Sequence, residues 1–135
     1  MVARIETPIG EMWVDEHGVR WHRITKQEPI TVEDAAEVQR IAAELTQGEP
    51  APAVVDIRSV SYAGREARDT FGDSFGSRFE SATALIVSSS ASVAMATVFI
   101  QITKPGRPVE VFTSEVEALE WAMSFLPTPP SPGTT

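Results

Sequence analysis

Cysteine is absent from the 135-residue chain. Disulfide frameworks, thiol catalysis and cysteine-based zinc sites are therefore excluded. Histidine is scarce, with only His17 and His22. Neither sits in a carboxylate–histidine repeat, so no metal site is expected, and surface or edge-strand roles are expected for both. With no histidine near the apolar run at Val54, a Ser-His-Asp arrangement has no sequence signal. Basic residues are outnumbered 19 to 11, which gives a net charge of −8 and a pI near 4.7. That balance opposes nucleic acid and anionic membrane surfaces, since both are polyanions. Long hydrophobic runs are also missing. The longest weakly polar stretch, Ala91 to Ile102, is too short to span a bilayer and contains Ser and Thr. The opening Met-Val-Ala-Arg-Ile-Glu lacks the apolar run of a signal peptide. No membrane insertion and a cytoplasmic location are expected.

What is present patterns as alternating strands and helices. Residues 2–7 and 10–15 are β-prone pieces broken by Pro8 and Gly10, and Val19 to Thr25 returns after an Asp15-Glu16-His17-Gly18 turn. Trp13 and Trp21 then pair directly or lie one residue out of register. Thr31 caps a helix that has an acidic residue three positions on. The helix runs to about Thr46 on the stripe Val38, Ile41, Ala42 and Leu45, and Gln47-Gly48 ends it. Ala53-Val54-Val55-Asp56-Ile57 reads as a strand buried on both faces. A helix is expected from Ala63 or Gly64, with Ala67, Phe71, Phe75 and Phe79 recurring every four residues. Ala82 to Val87 is a second buried strand, and Ala91 to Thr103 is read as helix from its length and Ser-rich start. Val109 to Phe112 is a short strand. Ser114 to Glu117 reads as a capping box for a last helix with the stripe Val116, Leu119, Ala122, Met123 and Leu126. The chain thus divides into one domain over residues 1–126 and a disordered Pro-rich tail over residues 127–135. The order predicts an α/β layer structure whose last three strands are mutually parallel.

Several of these segments resemble the SpoIIAA-like, or STAS, family. They are Val54-Val55-Asp56-Ile57-Arg58-Ser59-Val60 with the helix after it, Ala84-Leu85-Ile86-Val87, and Val111-Phe112-Thr113-Ser114-Glu115 followed by Ala118-Leu119-Glu120-Trp121. The likeness covers most of residues 10–126. It is nearest to a bacterial branch of small stand-alone STAS-like proteins of unknown function, which carry Arg-Glu-Ala-Arg where this chain has Arg65 to Arg68. The resemblance implies an α/β fold of SpoIIAA-like (STAS) type: a mixed β-sheet with an N-terminal hairpin and about four helices. Antagonists of the family carry Asp-Ser-Ser-Gly at the start of the helix after the central strand, and a partner kinase phosphorylates one serine. Here that segment falls on Gly64-Arg65-Glu66-Ala67, with no hydroxyl at the switch positions. The resemblance therefore implies the scaffold and its habit of non-catalytic binding, without the phospho-switch.

Candidate contact residues gather after the two buried strands. Ser61, Tyr62, Gly64, Arg65 and Arg68 follow the first, and Ser88, Ser89 and Ser90, with Ser92, follow the second. In a parallel sheet both groups lie at its carboxyl edge, where ligands of open α/β sheets bind. Arg58, Arg65 and Arg68 offer a contact for an anion or an acidic partner, or else pair with Glu66, Asp69 and Asp73. The serines offer hydroxyls to a phosphate or carboxylate, or cap a helix. Phe71, Phe75 and Phe79 with Trp13 and Trp21 line an apolar pocket or fill the core. Glu115, Glu117 and Glu120 read as the solvated face of the last helix. The expectation is a non-catalytic binding or regulatory module that contacts a protein partner, without cofactor or metal. The alternative is a small carrier of an apolar or acidic ligand. Self-association as a homodimer is expected where a sheet edge exposes Trp13 or Trp21.

Overall fold

Two tryptophans set the register of the first strands. Asp15 closes the turn between them: its carboxylate accepts the backbone N–H groups of His17 and Val19, and Gly18 supplies a φ of +95°. In this computed structural model, which describes residues 3–26, 28, 31–59, 80–88, 90, 92–94, 96–97 and 107–127, Trp13 pairs directly with Trp21. Their rings stack with centroids 5.7 Å apart, and the Trp21 indole donates to Asp15 Oδ2 at 2.8 Å. Both rings are buried, so the exposed aromatic that self-association called for is not there.

The strands are β1 (Ile5–Thr7), β2 (Gly10–Val14), β3 (Arg20–Ile24), β4 (Ala51–Asp56), β5 (Glu80–Ile86) and β6 (Val109–Phe112). They form one mixed sheet in chain order. β1, β2 and β3 are antiparallel, and β3 to β6 run parallel. The last three strands are thus parallel, so crossover connections and not hairpins join them. Three helices are described: α1 (Val32–Thr46), α2 with its described residues at 90, 92–94, 96 and 97, and α3 (Glu115–Met123). The helix expected from Ala63 or Gly64, with Phe71, Phe75 and Phe79, lies outside the described residues, as do residues 128–135 of the tail.

Thr31 caps α1 as its sequence predicts. Its hydroxyl accepts the Asp34 N–H at 3.0 Å and Asp34 accepts the Thr31 N–H at 3.1 Å. Gln47 and Gly48 leave the helix in left-handed conformations. Val38, Ile41 and Ala42 pack with Met12, Ile24, Ala53, Val55, Leu85 and Ala96 on one face of the sheet. On the other face Trp13, Trp21, Val54, Ala84 and Ile86 pack with Ala118 and Ala122 of α3. Both faces of β4 are therefore covered, which explains its unbroken apolar run. The expected stripe of the last helix holds at Leu119, Ala122, Met123 and Leu126, which pack on this face, and fails at its first member. Val116 is 66% exposed, and Ala118 is buried in its stead.

Two features depart from a regular sheet. A Cβ on Gly10 would lie 1.8 Å from the Arg23 carbonyl oxygen, so only glycine fits there. Between Ala51 and Pro52 the β4–β5 register shifts, pairing Ala51 with Glu80 and Pro52 with Ala82. Pro52 has no N–H for the ladder, and a bulge is where a sheet tolerates it. Ala51 and Ala53 share a face, so their partners Glu80 and Thr83 share one too.

Candidate functional site

That shift aims Glu80 inward at Arg20. The pair closes at 2.9 Å with both side chains only 2% exposed. Thr83 Oγ1 donates to Glu80 Oε1 at 2.5 Å, and Arg107 Nε donates to Thr83 at 2.8 Å. Arg20 Nη1 reaches Met12 Sδ at 3.6 Å, while its Nε has no hydrogen-bond partner among the described residues. His22 lies on the same face, fully buried, with Thr7 Oγ1 at 3.3 Å from Nε2. The surface or edge role expected of His22 is thus overturned: β3 is an interior strand, and His22 points under α1. Burial, and then the charge of Arg20, push its pKa down to about 3. His17 stays at the turn, with Glu16 3.6 Å away. This internal cluster lies toward the start of the parallel strands and is closed off from solvent.

The opposite, carboxyl edge is open. Asp56 ends β4 and Arg58 follows in a turn. Arg58 grips Asp56 with two donors, Nε to Oδ1 at 3.0 Å and Nη2 to Oδ2 at 2.7 Å, and its own N–H adds a third bond at 3.0 Å. Arg58 Nη2 also donates to Glu115 Oε1 at 2.6 Å, in the first turn of α3. Arg23 of β3 brings Nε within 3.4 Å of Asp56 and Nη2 within 3.5 Å of Glu115. Glu11 joins Arg23 at 3.8 Å and Arg4 at 3.0 Å, and Arg4 lies over Trp13. Burial raises the Asp56 carboxyl. The hydrogen bonds and charge of Arg58, with the charge of Arg23, outweigh it and hold the group below the usual carboxylate range. The bond to Asp56, against burial, and then Glu115 raise the Arg58 guanidinium further above its ordinary value.

Arg58 is therefore anchored by Asp56 and Glu115. The carboxylates first offered as its partners, Glu66, Asp69 and Asp73, lie outside the described residues. Glu117 and Glu120 are exposed as expected, but Glu115 is an ion-pair partner. Ser114 caps α3, accepting the Glu117 N–H at 3.3 Å. Ser88 is exposed at the same edge and donates its N–H to the buried Ser92 hydroxyl at 3.0 Å. Ser90 is exposed on α2. Ser61, Tyr62, Gly64, Arg65, Arg68 and Ser89 lie outside the described residues. Sequence reasoning missed Arg23, because its contacts with Asp56 and Glu115 cross to distant strands and helices. The one local hint was a charged residue at a strand position facing the same side as Trp21.

At the amino edge a hollow of about 780 Å³ opens between His17, Gly18, Pro50, Met123, Leu126 and Pro127. Among the described residues no group of three or more His, Asp or Glu side chains is placed to hold a metal ion. No described helix is long and apolar enough to cross a membrane.

The layering and strand order define the class first: a mixed α/β domain with a polar carboxyl edge, like a solved protein with a SpoIIAA-like fold. That protein is an uncharacterized member of the DUF3478 family from Shewanella loihica PV-4; it matches 90% of this chain and 92% of its own at a TM-score of 0.50 and 13% identity, a likeness of fold alone. The chain belongs to the family described as Domain of unknown function (DUF7793), whose sequence model matches residues 12–126. A protein with unknown function from Arthrobacter sp. FB24 is 26% identical over 85% of this chain and 99% of that one, at a TM-score of 0.35. No protein with a curated description matches.

Proposed function

We propose that the chain is a non-catalytic, STAS-like binding or regulatory module that contacts a partner protein through the carboxyl edge of its sheet, without a switch serine. The observation that supports this most is the pair Arg23 and Arg58. Both side chains are 35% exposed and converge at one edge of an otherwise acidic protein. Guanidinium groups at such an edge suit an acidic partner. Arg65 and Arg68 follow the same strand in sequence and are tested together with Arg58. Self-association is the lesser reading, because the two tryptophans it relied on are buried.

A pull-down from cell extract tests the surface. Arg58→Ala, alone and with Arg65→Ala and Arg68→Ala, is expected to weaken capture of a partner at least about tenfold, which corresponds to about 1.4 kcal/mol, while the circular dichroism spectrum stays that of the parent. Capture unchanged by all three substitutions would sink the assignment. The hollow at the amino edge supports a second reading, a carrier of an apolar small molecule. Native mass spectrometry of freshly purified protein separates the two: a co-purifying molecule favours the carrier, and bare protein from several hosts counts against it.

A further inference from the structure

Asp56 and Glu115 touch the same two arginines but are placed differently. The Asp56 side chain is 6% exposed and takes the bidentate grip of Arg58, whereas the Glu115 side chain is 43% exposed. Glu115 comes from outside the sheet, on α3, and meets both guanidiniums with a single oxygen, Oε1, at 2.6 Å from Arg58 and 3.5 Å from Arg23. Arg4, Arg23 and Arg58 are matched here by Glu11, Asp56 and Glu115. If Glu115 swings away, one positive charge is left facing solvent at the edge. A half-exposed ion pair of this kind is held weakly and exchanges readily for a competing anion.

We propose that Arg23 and Arg58 form an oxyanion-binding fork that Glu115 fills from within the chain, and that a phosphorylated or acidic side chain of the partner protein takes its place. The inference rests on the carboxyl edge being the contact surface, and it names the chemistry of the partner. A group with several oxygens satisfies both guanidiniums at once, where Glu115 offers them one oxygen to share.

The test is a titration of the wild type and of Glu115→Gln with two probes, Nα-acetyl-phosphoserine amide and Nα-acetyl-glutamate amide, following the Nε–Hε resonances of Arg23 and Arg58. Glu115→Gln is expected to bind a probe about three- to tenfold more tightly than wild type. Adding Arg58→Gln is expected to abolish the gain, and Arg58→Lys to retain part of it if the fold is intact. The tighter of the two probes identifies the source of the oxyanion, phosphoryl or carboxylate. Equal affinity in wild type and Glu115→Gln, or shifts confined to residues away from Arg23 and Arg58, overturns the fork. If the fork fails this way while Arg58→Ala still weakens partner capture, the contact surface stands without it. If the probe affinity rises while capture ignores Arg58, the fork stands and the protein-contact reading falls.

Discussion

At the scale of single residues, the most consequential side chain is Glu80. It neutralises Arg20 in a setting where both side chains are closed to water, and Arg107 lies 3.6 Å from its other oxygen. Removing one member of a buried pair strands the other as an uncompensated charge. Glu80→Ala is therefore expected to cost about 3–5 kcal/mol, read as a lower midpoint in urea unfolding at unchanged slope. Arg40→Ala gives the contrast. Its ion pairs with Glu37 and Glu44 lie on the exposed face of α1, where such pairs contribute about 0.3–0.5 kcal/mol each. A Glu80→Ala midpoint no lower than that of Arg40→Ala contradicts the internal pairing.

At the scale of elements, Gly10 joins β2 to β3 without room for a methyl group. The atom a Cβ would strike is backbone, the Arg23 carbonyl oxygen, and backbone cannot rotate away. Gly10→Ala is expected to destabilise by about 1–3 kcal/mol and to weaken amide protection at Thr25, whose N–H donates to the adjoining Ile9 carbonyl at 2.8 Å. Normal protection at Thr25 in a folded variant would falsify the close approach. Elements whose signals are local were legible in the sequence: the Thr31 cap and apolar stripe of α1, the Asp15–Gly18 turn, and the apolar run of β4. The α3 stripe was legible at Leu119, Ala122 and Met123 and not at Val116. In a helix of nine residues, Val116 and Ala118 are equal candidates for burial in the first turn until the sheet is in place. The meetings of Arg20 with Glu80, and of Arg23 with Asp56 and Glu115, were illegible. They depend on strand pairing across long separations, and one depends on a register shift that belongs to two strands together. Ser88 was rightly placed at the carboxyl edge, but its link to Ser92 needed coordinates.

At the scale of the whole molecule, acid stability follows from what the core keeps uncharged. His22 titrates at 6.5 when unfolded and at about 3 when folded. Below pH 6.5 the unfolded chain takes up a proton that the native chain refuses. Stability therefore falls as pH drops toward 3, by about 1.4 kcal/mol for each pH unit crossed. Asp34 and Asp56 are depressed carboxyls. Their contribution is present above their unfolded values and is lost only at lower pH. A urea series from pH 7 to pH 4.5 should therefore show a falling stability that His22→Asn flattens; an equal slope in both proteins would show that His22 is not the group responsible. The sheet order has another consequence. The described strands lie side by side in the order in which they are synthesised, and none of them is inserted between two earlier ones. Assembly can be vectorial: each strand leaving the ribosome finds its template already laid down, and only the newest margin waits for a partner.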